Sequence, residues 1–156
     1  MAEVKPNKQI NEVVAEVMNI LNHIDKAKIA AIGGDKLTEI AIRLAEYKAY
    51  LGSEVAELSY QLNMMEAVRE GVWADLFAQA KANGEPGGKP VTDTGARTFA
   101  DRGTAESKME EIELGRKFNK IKNLRQDIGD LITTIQSRIG HLKQERMDAM
   151  LPNIQP

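Results

Sequence analysis

Two rows of apolar residues spaced seven apart constrain this chain more than any other feature. The first row is Leu37, Leu44, Leu51, Leu58, Met65 and Val72, widened by Ile40, Val55, Leu62 and Leu76. The second is Leu114, Ile121, Ile128, Ile135, Leu142 and Ala149, with Phe118, Leu124, Leu131, Ile132 and Ile139 beside it. Rows of this kind predict amphipathic helices, here over about 36–80 and 104–150. Each would be on the order of 65 to 70 Å long. The mean globular helix has about 11 or 12 residues, so helices of this length must pair. No strand-type alternation accompanies them, and 42% apolar, 28% charged and 4% aromatic residues suit a helical unit of ordinary domain size.

Upstream, Ile10, Val13, Val14, Val17, Ile20, Leu21 and Ile24 predict a shorter amphipathic helix over about 7–31. Gly33 and Gly34 end it, and Asp35 offers an N-cap to the next helix. Between the long helices, Gly84, Pro86, Gly87, Gly88, Pro90 and Gly95 predict a flexible loop over about 82–103. Pro152 makes the last residues a frayed tail. The fold class expected is all-α. A long, coiled-coil-like antiparallel helical hairpin and a shorter N-terminal helix form a single helical domain, 1–156, with Leu58 or Leu62 near Ile128 or Leu131. Two helices sharing one seam bury little surface and the short helix covers only part of it, so a third layer is expected from other copies in a homo-oligomer. Gly52, Gly71, Gly115, Gly129 and Gly140 interrupt the helical patterns and mark close helix approach or local bends.

The chemistry excluded is broad. With no cysteine there is no disulfide framework, thiolate site or cysteine nucleophile, which fits a reducing cytoplasm. The first residues show no basic-then-apolar export pattern, and no apolar run approaches the roughly 18 to 20 residues of a membrane span. His23 and His141 have no metal-type partner at helical spacing, and no phosphate-binding loop, dinucleotide fingerprint, nucleophile elbow or calcium loop is present. Glu106, Glu110, Glu111 and Glu113 open a helix, where acids favour the positive end of the dipole. The reading is a non-enzyme without cofactor or metal.

Charge placement says more than the formal net charge of −2. Residues 36–80 hold four basic and seven acidic side chains, whereas residues 115–146 hold eight basic and three acidic ones, Arg116 and Lys120 sharing one face. Opposite charges flanking an antiparallel seam explain this plainly; a basic strip that meets phosphates is the functional reading. With Leu37 at heptad position a, Trp73 and Phe77 fall at b and f and should project from the seam toward the first helix, a sister subunit or unstacked bases. They precede a loop carrying Lys81, Lys89, Arg97 and Arg102, and rings beside cations are what single-strand binding requires.

In this order, a helical N-terminus, a long helix, a glycine-rich basic loop and a long final helix resemble the UvsY-type recombination mediators of tailed phages and similar small helical phage proteins. The resemblance is carried by Leu44-Ala45-Glu46-Tyr47-Lys48, by Trp73-Ala74-Asp75-Leu76-Phe77-Ala78-Gln79-Ala80-Lys81, by the Gly84 to Gly88 loop and by the last helix. It implies ring-like oligomers that bind single-stranded DNA and help load a recombinase, with DNA-contacting positions nearest Arg69 and Lys81. The alternative is a small helical interaction protein, structural or inhibitory, that docks a partner protein and no nucleic acid.

Overall fold

The computed structural model describes residues 10–24, 26–84 and 89–150. Of these 93% are helical and none is in a strand. Five helices follow in order: α1 (Ile10–His23), α2 (Lys26–Ala31), α3 (Gly34–Asn83), α4 (Asp93–Gly103) and α5 (Ala105–Met150). The chain packs as two compact units, Met1–Glu54 with Ile121–Pro156 and Val55–Lys120, and both long helices contribute to each. The expected tail at 151–156, residues 7–9 of the first helix and positions 85–88 of the loop lie outside the described residues.

In the first unit α1 and α2 supply a third layer. Val13, Val17 and Ile29 are buried with Leu37, Leu44, Leu51, Ile128 and Ile135. The α3 and α5 segments run antiparallel: a Cβ at Gly34 would touch Leu142 at 3.8 Å, and a Cβ at Gly52 would lie 3.2 Å from the Arg125 Nε. Lys48 in turn lies across Gly129, its Nζ 2.9 Å from where a Cβ would be. Two of the helix-interior glycines thus make room for the charged ends of basic side chains, whereas a Cβ at Gly71, Gly115 or Gly140 would have nothing within 4 Å.

This register corrects two expectations. Ile128 belongs opposite the turn at 48–52, about three turns earlier on α3 than Leu58 or Leu62. The cause is α4, because residues 93–103 are helical and not a flexible loop. In the second unit α4 already runs back along the end of α3, Asp93 meeting Lys81 and Asp101 meeting Trp73, so the partner of every later residue shifts. Thr92 starts α4, its hydroxyl accepting from the Gly95 amide at 3.1 Å, and Ala96 and Ala100, wholly buried, let it lie close. Gly84 ends α3 with φ 66°, the left-handed conformation that favours glycine after a helix. The upstream helix likewise divides into α1 and α2, and Asp35 falls within the first turn of α3, a favourable place for an acid, not before it.

The burial of the first heptad row changes along α3. Leu37, Leu44 and Leu51 are fully buried and Leu58 nearly so, yet Val72 is 44% exposed. A seven-residue repeat on a straight α-helix drifts about 20° per heptad. Five heptads after Leu37, the row has therefore turned by about 100° away from the seam.

A polar tie fixes α1 on α3. Tyr47 is buried, its hydroxyl donates to Glu16 Oε2 and accepts from Arg43 Nε at 3.3 Å, and Arg43 stands 3.8 Å from Glu16. Burial, followed by the bond to Glu16, raises the Tyr47 pKa above the ordinary tyrosine value. Leu44→Ala should cost about 2 to 5 kcal/mol of stability in urea melts. Tyr47→Phe should cost roughly 1 to 2 kcal/mol. Because folding raises the tyrosine pKa, its contribution is whole below about pH 10 and is lost as pH rises through the folded value, a loss that Tyr47→Phe should remove.

Candidate nucleic-acid interface

All nine candidate residues fall in the second unit, Val55–Lys120. Trp73 and Phe77, one turn apart on α3, stack with centroids 5.3 Å apart and planes 10° from parallel. Both are half-buried, which corrects the expectation that they project from the seam. The heptad drift explains it: as Val72 rotates outward, Trp73 and Leu76 rotate in. Trp73 Nε1 donates to Asp101 Oδ1 of α4 at 2.8 Å. Gly103 leaves the space that Leu76 fills, since a Cβ there would overlap Leu76 Cδ1. Thr104, buried where α4 gives way to α5, bonds through its hydroxyl to Ala100 O at 3.0 Å.

Two of the expected phosphate ligands are already engaged. Arg69 Nε donates to Glu111 Oε2 at 2.7 Å, with the two side chains only 19% and 25% exposed. The bond to Glu111 holds the Arg69 pKa above its ordinary value. Lys81 pairs with Asp93, and its Nζ also donates to Val91 O at 3.1 Å. That contact, with Arg97 adding to it, holds the Asp93 carboxyl below the usual carboxylate range. Arg69 and Lys81 therefore tie α3 to α5 and to α4 respectively.

Lys89, Arg97, Arg102, Arg116 and Lys120 are exposed, and among the described residues none of them has an ion pair within 4 Å. They do not form one cluster. Arg97 and Arg102 lie on α4 beside the ring pair, whereas Arg116 and Lys120 are 15 and 19 residues beyond Asp101, on the order of 20 Å or more along the helix direction.

A groove of about 750 Å³ opens beside Trp73, lined by Arg69, Glu70, Asp101, Lys108, Met109 and Ile112 among others. Met109 is 59% and Ile112 42% exposed, so its apolar wall is open to solvent. Sequence reasoning overlooked the acids that engage the cations and the groove. The signals available were Thr92 ahead of Asp93, an N-cap pattern, and Ala96 with Ala100 at helical spacing. Among the described residues no group of three or more His, Asp or Glu could hold a metal ion, and no helix is long and apolar enough to cross a membrane. No protein-family model, curated protein or solved structure matches the chain.

Folding lowers the Asp93 pKa, so the stabilisation from its pair with Lys81 is whole above the ordinary value of about 4 and is lost as pH falls through the folded value. Trp73, the chain's one tryptophan, reports α4 docking through its bond to Asp101. Its fluorescence should change on acidification below about pH 4, and Asp93→Asn should reduce that change.

Proposed function

We propose that the chain is a non-enzymatic accessory protein that binds single-stranded DNA as an oligomer, in the manner of a recombination mediator acting with a recombinase in the host cytoplasm. The observation that carries this reading is the half-buried Trp73 and Phe77 stack beside a helix bearing exposed Arg97 and Arg102, with exposed Lys89 on the segment leading into it. Unstacked bases find ring faces there and phosphates find cations. Arg116 and Lys120 would extend the track along α5. Arg69 and Lys81, held by Glu111 and Asp93, act as positioning residues that fix α5 and α4 against the aromatic end of α3.

One observation favours a second reading. The groove at Trp73 combines exposed Met109 and Ile112 with the carboxylates of Glu70 and Asp101. That suits an apolar and basic segment of a partner protein, with no nucleic acid bound.

Titration of a labelled single-stranded oligonucleotide over a range of salt separates the two. Replacing Lys89, Arg97 and Arg102 together with Gln should flatten the log affinity against log salt slope by about 0.7 per lost contact, about 2 in all. Trp73→Leu should cost roughly 1 to 3 kcal/mol of binding with the slope unchanged. Arg69→Gln should lower the thermal midpoint and leave the slope nearly as it was. Wild-type protein that binds no oligonucleotide even at low salt overturns the DNA reading in favour of the protein partner.

A further inference from the structure

In the first unit α3 and α5 each hold a glycine beneath the other helix's cation. Lys48 reaches over α5, its Nζ 2.9 Å from where a Cβ at Gly129 would stand, and Arg125 reaches over α3, its Nε 3.2 Å from a Cβ at Gly52. On each helix the cation precedes its glycine by four residues. Because the helices are antiparallel, the two head groups are neighbours, offset by about 6 Å along the axis. Neither has an acid to meet. Among the described residues no ion pair within 4 Å involves Lys48 or Arg125. No acid stands three, four or seven residues from either, the spacings that share a helix face, and Lys122 adds a further cation on the side of Arg125. Asp127 and Asp130 are two and five residues beyond Arg125, roughly 140 to 160° away round the helix. Glu16 of α1 is held by Tyr47 and Arg43. A half-buried charge costs free energy unless it is paired. Arg69 in the second unit has Glu111 for this, whereas Lys48, also half-buried, is set beside a second cation.

We propose that Lys48 and Arg125 form a seat for the oxygens of a phosphoryl group. Two cations with no acid between them repel, so an anion entering there is attracted by both and relieves their repulsion. The guanidinium offers a planar fork of donors and the ammonium a mobile point charge. A carboxylate has two oxygens, which one guanidinium fork fills, whereas a phosphoryl group has oxygens to share between two donors, and this favours phosphate over carboxylate. The glycines make the arrangement possible, because a side chain at Gly52 or Gly129 would take the space that the head groups use. Free pyrophosphate and the backbone of a nucleic-acid strand both carry this chemistry. The residues of the strand-binding surface proposed above all lie in the second unit, so this seat is additional to them and stands without that reading.

Replacing both cations by Met in the full-length chain keeps their stems and removes their charges. At matched ionic strength, millimolar pyrophosphate should raise the thermal midpoint of the wild type and not that of Lys48→Met with Arg125→Met. Lys48→Arg with Arg125→Lys, which keeps both charges, should recover the rise. With labelled oligothymidylate, the double-Met variant should flatten the log affinity against log salt slope by about 0.7 per lost contact, about 1.4 in all. Lys36→Gln with Arg146→Gln removes the same charge elsewhere in the first unit and should leave the slope as it was. A midpoint effect alone assigns the seat to a free phosphoryl ligand, and a slope change alone assigns it to a strand backbone. A double-Met variant that matches the wild type in both arms overturns the seat, and the proposed function stands if the oligonucleotide still binds. Wild-type protein that binds no oligonucleotide overturns the DNA reading instead, and pyrophosphate then decides the seat by itself. Should the double variant not fold, Arg125→Gln, at an exposed position, carries the same two arms.

Discussion

An α-helix turns once in about 3.6 residues, and a row of side chains every seventh residue does not keep step with it. Much of this structure follows from that mismatch along α3. Near its start, where α1 and α2 also pack, Leu37, Leu44 and Leu51 all face inward. Further along, the row has rotated far enough for Val72 to reach solvent and for Trp73 and Leu76 to take the inward place. That rotation sets the ring pair against α4 and brings Arg69 to Glu111. It also leaves Tyr60, Met64 and Val68 exposed among the described residues.

The same rotation sorts the cations. Arg69, carried inward with the seam, finds a carboxylate across it because a half-buried charge costs free energy unless it is paired; Lys81, at the exposed end of α3, pairs with Asp93 at the start of α4. Those on the outer sides of α4 and α5 stay in water. A count of basic residues therefore exaggerates the charge offered to a phosphate backbone, and the difference between Arg69 and Arg97 is one of neighbours. Trp73 shows the same effect: its indole nitrogen is engaged by Asp101, yet its ring remains half-exposed beside Phe77.

Fold class, two long helices and a shorter helical start were legible in the sequence because apolar periodicity is local and each row spans six repeats. The third element of the hairpin was not. Residues 93–103 lack large apolar side chains at helical spacing, and glycine and proline crowd the approach to them, so their pattern resembles a loop. What makes them helical is an N-cap at Thr92 and a surface to lie on, where Ala96 and Ala100 allow close contact. Missing α4 also displaced the expected pairing of α3 with α5, because the turn was placed several residues too late.

By itself, the sequence determined that the chain is helical, that its long helices bury an apolar stripe, and that cysteine chemistry is closed to it. These follow from composition and from spacing along one helix. Tertiary structure alone decided which residues face each other: that Arg69 meets Glu111, that Lys81 meets Asp93, that Trp73 turns inward and Val72 outward. The reason is geometric. A seven-residue row gives a direction only to within the drift that accumulates along the helix, and over five heptads that drift exceeds the width of the seam. Only packing against a second helix fixes which side chain, of several adjacent in angle, is the one enclosed.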